Sequence, residues 1–175
     1  AEHGDAALRA YEKKLDKAEL DSLEVTQQEL DTAEASVAPE FLQILQEAAA
    51  NIRSYHEKQR RTNYIINDRA GVVMGQKILP IENVGIYVPG GTAAYPSTVL
   101  MDAIPAKIAG CGQIIMVTPP AADGSVNPVI LAAARIAGVD RIFKLGGAQA
   151  IAALAYGTES VPKADKIVGP GNAFV

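Results

Sequence analysis

Apolar positions change rhythm along this chain. Up to about residue 60 they recur every three or four positions, the period of a half-buried helix. Leu8, Tyr11 and Leu15 share one face of a first helix, which Asp5 is placed to cap. Thr26, followed three residues later by Glu29, is a capping-box pattern for a second, short helix. Pro39 suits the first position of a longer one, in which Phe41, Leu42, Leu45, Ala48, Ala49, Ile52 and Tyr55 form an apolar stripe. The charged run from His56 to Arg61 reads as its solvated end, with cations favourable to the helix dipole. From Tyr64 to Pro80 the rhythm becomes strand-like, with Gly71 and Gly75 as turn or bulge points.

After Pro80 one unit recurs four times: a short apolar strand, a loop of small residues or proline, and usually a helix. The junctions read VGIYVPGG from Val84, QIIMVTPP from Gln113, RIFKLGGA from Arg141 and KIVGPGN from Lys166. They start roughly 25–30 residues apart, about one βαβ step. Between them, helices are predicted over 97–109, ended by Gly110 and kinked at Pro105, and from Asn127-Pro128 through Ala137, ended by Gly138. A third is predicted over 147–156, alanine-rich and able to lie close to a sheet. The strands are nearly continuous apolar runs, as expected where helices cover both faces. Right-handed crossovers then give a parallel α/β domain from about Tyr87 onward.

Composition narrows the function classes. The 175 residues are 49% hydrophobic and 21% charged, ordinary values for a globular chain. The net charge is −4 and the longest basic block is Arg60-Arg61, which argues against a nucleic-acid surface. No apolar run approaches the roughly 18–20 residues of a membrane span. The single cysteine, Cys111, excludes an internal disulfide framework, suits a reducing cytoplasm and reads as a small packed residue. The chain opens on AEHGD and stops inside a glycine-rich loop after Ala173-Phe174-Val175, so the expectation is a fragment of a longer protein.

In parallel sheets, ligands bind outside the carboxyl ends of the strands. Gly90-Gly91, Gly146-Gly147 and Gly169-Pro170-Gly171 fall there, where backbone N–H groups and helix starts favour an anion. The polar residues expected at that edge are Tyr87, Thr92, Tyr95, Ser97, Thr98, Gln149 and Asn172, with Lys144 the lone charged group and neither His nor Glu. They suit a sugar, phosphate or amide and offer no agent for acid–base chemistry. His3 and His56 lie in the helical region without metal-like spacing, and Asp102 is expected to pair locally. Taken alone, these residues describe a nucleotide-sized binding edge without catalytic machinery.

Two long stretches say more: PIENVGIYVPGGTAAYPSTVLMDAIPAKIAGC from Pro80 and LGGAQAIAALAYGTESVPKADKIVGPGNAFV from Leu145. Both resemble histidinol dehydrogenase, and the resemblance runs from the helical region to Val175. It implies an enzyme that uses NAD and zinc to oxidise L-histidinol through L-histidinaldehyde to L-histidine. It also implies an aldehyde-dehydrogenase-like α/β fold: an incomplete Rossmann-like parallel sheet with flanking helices, preceded by a helical N-terminal arm. Residues 1–86 would then be the arm and first strands of one α/β domain, and 87–175 most of a second, within a homodimer. The family's NAD-contacting Tyr, Gln and Asn fall on Tyr87, Gln149 and Asn172. Its zinc ligands and Glu-His acid–base pair are expected beyond Val175, so neither a catalytic residue nor a metal ligand is expected in this chain. Two alternatives stay open on the residues: a related zinc- and NAD-dependent alcohol dehydrogenase for another small polar diol such as a sulfopropanediol, and a non-catalytic nucleotide-binding module.

Overall fold

The computed structural model describes residues 3–90, 94–171 and 175. Three helices come first: α1 (Gly4–Leu15), α2 (Gln27–Ser36) and α3 (Pro39–Glu57). An antiparallel hairpin follows, β1 (Tyr64–Arg69) and β2 (Val72–Gln76), turning at Gly71 with φ 75°. The remainder alternates: β3 (Asn83–Tyr87), α4 (Pro96–Ala109), β4 (Gln113–Thr118), α5 (Pro128–Ala137), β5 (Arg141–Lys144), α6 (Gly147–Tyr156) and β6 (Lys166–Val168). These last four strands form one parallel sheet in the order β5-β4-β3-β6. The chain thus starts its sheet in the middle, steps outward twice and then returns to the other side of β3. That reversal is a topological switch point, where α/β sheets place ligands.

Alternate strand residues serve the two faces, as pleating requires. Val84, Ile86, Ile114, Met116 and Ile142 pack under α2, α3, α4 and α5. Tyr87, Ile115, Val117 and Phe143 pack under α1 and α6. The helical arm is therefore split over both faces. Gly85 sets the spacing on the second face, because a Cβ there would lie 2.9 Å from a Leu154 methyl. Ala150 and Ala153 of α6 are buried beside it, in keeping with a helix pressed close to the sheet.

Several local expectations hold in detail. Thr26 and Glu29 form both halves of the capping box, and the Asn127 side chain accepts from Val129 N–H at 2.9 Å. Gly110 and Gly138 end α4 and α5 in the left-handed conformation. Three expectations need correction. Asp5 does not cap α1: the N-cap position is His3, without a side-chain bond, and Asp5 sits in the first turn. Its carboxylate instead accepts from the Thr158 and Ser160 hydroxyls and from Ser160 N–H, while Glu159 accepts from Asp5 N–H. These bonds tie the start of α1 to the loop after α6. The stripe on α3 is narrower than its sequence pattern, with Leu45 and Ala49 buried but Phe41 and Tyr55 exposed. Only the first residue of the stripe on α1 is buried: Leu8 is covered, Tyr11 and Leu15 are not, and the polar residue Glu12 is buried in their place.

Candidate functional site

The carboxyl edge of the sheet opens into a groove of ≈ 1050 Å³. Its walls include Tyr87 and Pro89 after β3, Pro119 after β4, Gln149 on α6, and Tyr11 and Asp16 from the α1 side. The volume is just above the usual range of about 300–1,000 Å³ for small-molecule and cofactor sites. Two glycines pack tightly here. A Cβ on Gly90 or Gly146 would lie 2.8 or 2.7 Å from Pro119 side-chain atoms. The glycines in these two loops thus let the ends of β3 and β5 close around the proline ring between them.

Tyr87 ends β3 and is buried, 4% exposed. Its hydroxyl accepts from Gly147 N–H at 3.3 Å, which satisfies one of the free donors at the start of α6. The phenolic proton remains available to donate. Burial, countered by the Gly147 bond, pushes the Tyr87 phenol above its usual range, so it stays neutral through physiological pH. Gln149, in the first turn of α6, donates through Nε2 to Glu12 Oε1 at 3.0 Å. Its amide oxygen is not used in that bond and keeps its capacity to accept.

Glu12 corrects the expectation that no Glu reaches this edge. It is 0% exposed, and its Oε1 also accepts from Gly146 N–H at 3.3 Å. Burial pushes its carboxyl up to about 7, and the Asp16 carboxylate adds to the rise. In the sequence Glu12 sits among charged residues at Lys13 and Lys14, so no local signal marks it as buried. The ties from Asp5 to Thr158 and Ser160 lay α1 along α6 and bring Glu12 to the edge.

The other expected edge residues divide. Tyr87 and Gln149 meet at the amino end of α6. Thr92 and Asn172 lie outside the described residues. Tyr95 and Ser97 are exposed at the start of α4, and neither they nor Thr98 line the groove. Lys144 is buried and paired with Glu29, which spends its charge on the α2 cap rather than on a ligand. His3 is exposed and His56 bonds Gln59 Oε1 at 2.7 Å, both away from the groove. Asp102 does not pair: its Oδ2 is buried without a hydrogen-bond partner among the described residues, and burial raises its pKa. Cys111 is partly buried against the core, as a small packed residue.

The family model for histidinol dehydrogenase matches residues 1–175, the whole chain. The chain belongs to the histidinol dehydrogenase family. It is 58% identical over 174 residues to histidinol dehydrogenase of Clostridium acetobutylicum, covering 99% of this chain and 40% of that protein. Histidinol dehydrogenase of Methanosarcina mazei is 57% identical over 173 residues, covering 98% and 40%. The crystal structure of histidinol dehydrogenase from Elizabethkingia anophelis superposes with a TM-score of 0.94 at 48% identity, over 98% of this chain and 40% of that one. The parallel α/β fold with flanking helices is therefore that of histidinol dehydrogenase. The chain spans about 40% of the length of the curated relatives it matches.

Proposed function

We propose that the whole protein oxidises L-histidinol to L-histidine by way of L-histidinaldehyde, and that this chain forms one wall of its NAD groove. The observation that carries the reading is the meeting of Tyr87 and Gln149 at the amino end of α6, on the carboxyl edge of a parallel sheet. Bound NAD would supply the hydride acceptor, twice per histidinol. The groove fits a dinucleotide in volume, and it offers the Tyr87 hydroxyl as a donor and the Gln149 amide oxygen as an acceptor for ribose or carboxamide groups. The amino end of α6 adds the positive end of a helix dipole. Asn172, the third residue that the family resemblance assigns to NAD, lies outside the described residues.

The reading extends to zinc as a Lewis acid that holds the substrate alcohol. Among the described residues, no three His, Cys, Asp or Glu side chains cluster to hold a metal. On this reading its ligands and the acid–base pair belong to the rest of the whole protein, and residues 1–175 alone neither hold zinc at a defined site nor turn over histidinol. By the same reading residues 1–86 begin one α/β domain and 87–175 make most of a second, a boundary that falls within β3. The hairpin exposes Ile65 and Val73, and the segment after it Leu79, apolar surface for the remainder of that first domain to cover. The assembly is a cytoplasmic homodimer. No helix among the described residues is long and apolar enough to cross a membrane.

The test is NADH formation by the whole protein supplied with L-histidinol, with and without a zinc chelator. Two NADH per histidinol, abolished by the chelator, supports the reading. NAD binding without turnover of histidinol overturns the substrate and points to another small polar diol.

A further inference from the structure

We propose that Glu12 is a positioning residue of the cofactor groove: its Oε1 holds both the Gln149 amide and Gly146 N–H, and so fixes how Gln149 presents its acceptor oxygen to the dinucleotide. The inference rests on the NAD reading of the groove and adds a residue from α1 to it. The carboxyl oxygen Oε1 accepts two donors, at 3.0 and 3.3 Å, one from the Gln149 side chain and one from the turn that starts α6. A carboxyl oxygen of this kind only accepts, so it is the amide nitrogen of Gln149 that must face Glu12. The amide oxygen is thereby turned away from Glu12. Without Glu12 the amide would rotate, and either end could meet a ligand.

The second oxygen explains how a carboxyl survives here. Glu12 is fully buried, and Oε2 has no hydrogen-bond partner among the described residues. No cation faces it. Just after its own helix lies the Asp16 carboxylate, while Arg9 is held by the carbonyls of Leu20 and Asp21. From β3 comes the neutral Tyr87 phenol, α6 carries no charged side chain, and Lys144 of β5 is paired with Glu29. Burial and the Asp16 carboxylate therefore favour a proton on Oε2 up to a pH of about 7, with Oε1 free to accept. Above that pH the group ionises beside Asp16, which concentrates negative charge at a groove that receives a pyrophosphate.

The experiment is titration of the whole protein with NADH, followed by nicotinamide fluorescence from pH 6 to 9, for wild type, Glu12→Gln and Glu12→Leu. Glutamine keeps an Oε1 acceptor and replaces the acid O–H with an amide donor. Wild-type affinity should be flat below about pH 6.5 and weaken several-fold by pH 8.5. Glu12→Gln should match wild type at pH 6 and stay flat. Glu12→Leu should weaken NADH binding roughly three- to tenfold at every pH, the scale of one or two neutral hydrogen bonds. In steady-state kinetics the loss should fall more on the apparent KM for NAD than on kcat. A Glu12→Gln profile that tracks wild type, or Glu12→Leu binding as tight as wild type, overturns the proposal. If Glu12→Leu fails to fold, the Glu12→Gln profile decides. Wild type that binds NADH without oxidising L-histidinol defeats the substrate reading and leaves this one standing. Wild type that binds no NADH defeats both.

Discussion

Glu12→Gln should make the whole protein more stable at pH 8 and leave it nearly unchanged at pH 4.5. The cause is a carboxyl buried without a cation, with its pKa raised from the ordinary 4.5 to about 7. Each unit is worth about 1.4 kcal/mol, so the shift represents on the order of 3 kcal/mol. The direction follows from proton binding. Between pH 4.5 and about 7 the unfolded chain releases a proton that the folded chain keeps. Wild-type stability therefore falls as pH rises through that window and levels off above it. Glutamine does not titrate, so its stability does not follow this fall. At pH 4.5 the protonated acid and the amide make similar bonds. At pH 8 the variant leads by up to about 3 kcal/mol, an upper bound because the amide carries its own desolvation cost. Thermal unfolding at fixed protein concentration, without ligand, at pH 4.5, 6 and 8 reads the effect as a growing difference in Tm. A difference that stays constant with pH, or a variant less stable than wild type at pH 8, would refute a buried and protonated Glu12.

Other substitutions probe the groove and its supports. Gln149→Ala and Asn172→Ala should each raise the apparent KM for NAD by up to roughly tenfold and leave that for histidinol unchanged, as steady-state kinetics will show. Gly146→Ala puts a Cβ 2.7 Å from the Pro119 ring and should cost about 1–3 kcal/mol in denaturant unfolding, with weaker NADH binding. Asp5→Ala removes the acceptor for Thr158 and Ser160, loosens α1 and should weaken NADH binding through Glu12. Burial tends to raise the Asp5 pKa, but the Ser160 and Thr158 bonds outweigh it and hold the carboxyl below its usual range. Its contribution to stability is therefore present above about pH 4 and lost as pH falls further, so the variant and wild type should converge in acid unfolding.

Much of the fold could be read from local pattern. The four strand–loop units became the four parallel strands because their apolar runs can only be buried between two helical layers. The Thr26–Glu29 box and the glycines at 110 and 138 marked real helix ends because caps are decided within a few residues. Tyr87 and Gln149 could be placed at the carboxyl edge because a strand end and the first turn of the following helix both lie there. What escaped was long-range. Strand order depends on which side of β3 the last crossover takes, and no short motif encodes it. Glu12 lies 137 residues from Gln149, and its burial depends on how α1 docks on α6. Asp5 has the look of a helix cap in sequence, yet its partners are about 155 residues away. Lys144 was neutralised by Glu29, a residue whose capping role was visible while its second oxygen was not.

A crystal structure of the whole protein with NAD bound tests the central claim most directly. The account predicts the dinucleotide in the groove at the carboxyl edge of β3, β4 and β5, in hydrogen-bond contact with Tyr87 and with the Gln149 amide oxygen, whose nitrogen remains on Glu12. NAD bound elsewhere, or in this groove with Gln149 released from Glu12 and turned away from it, would contradict the account.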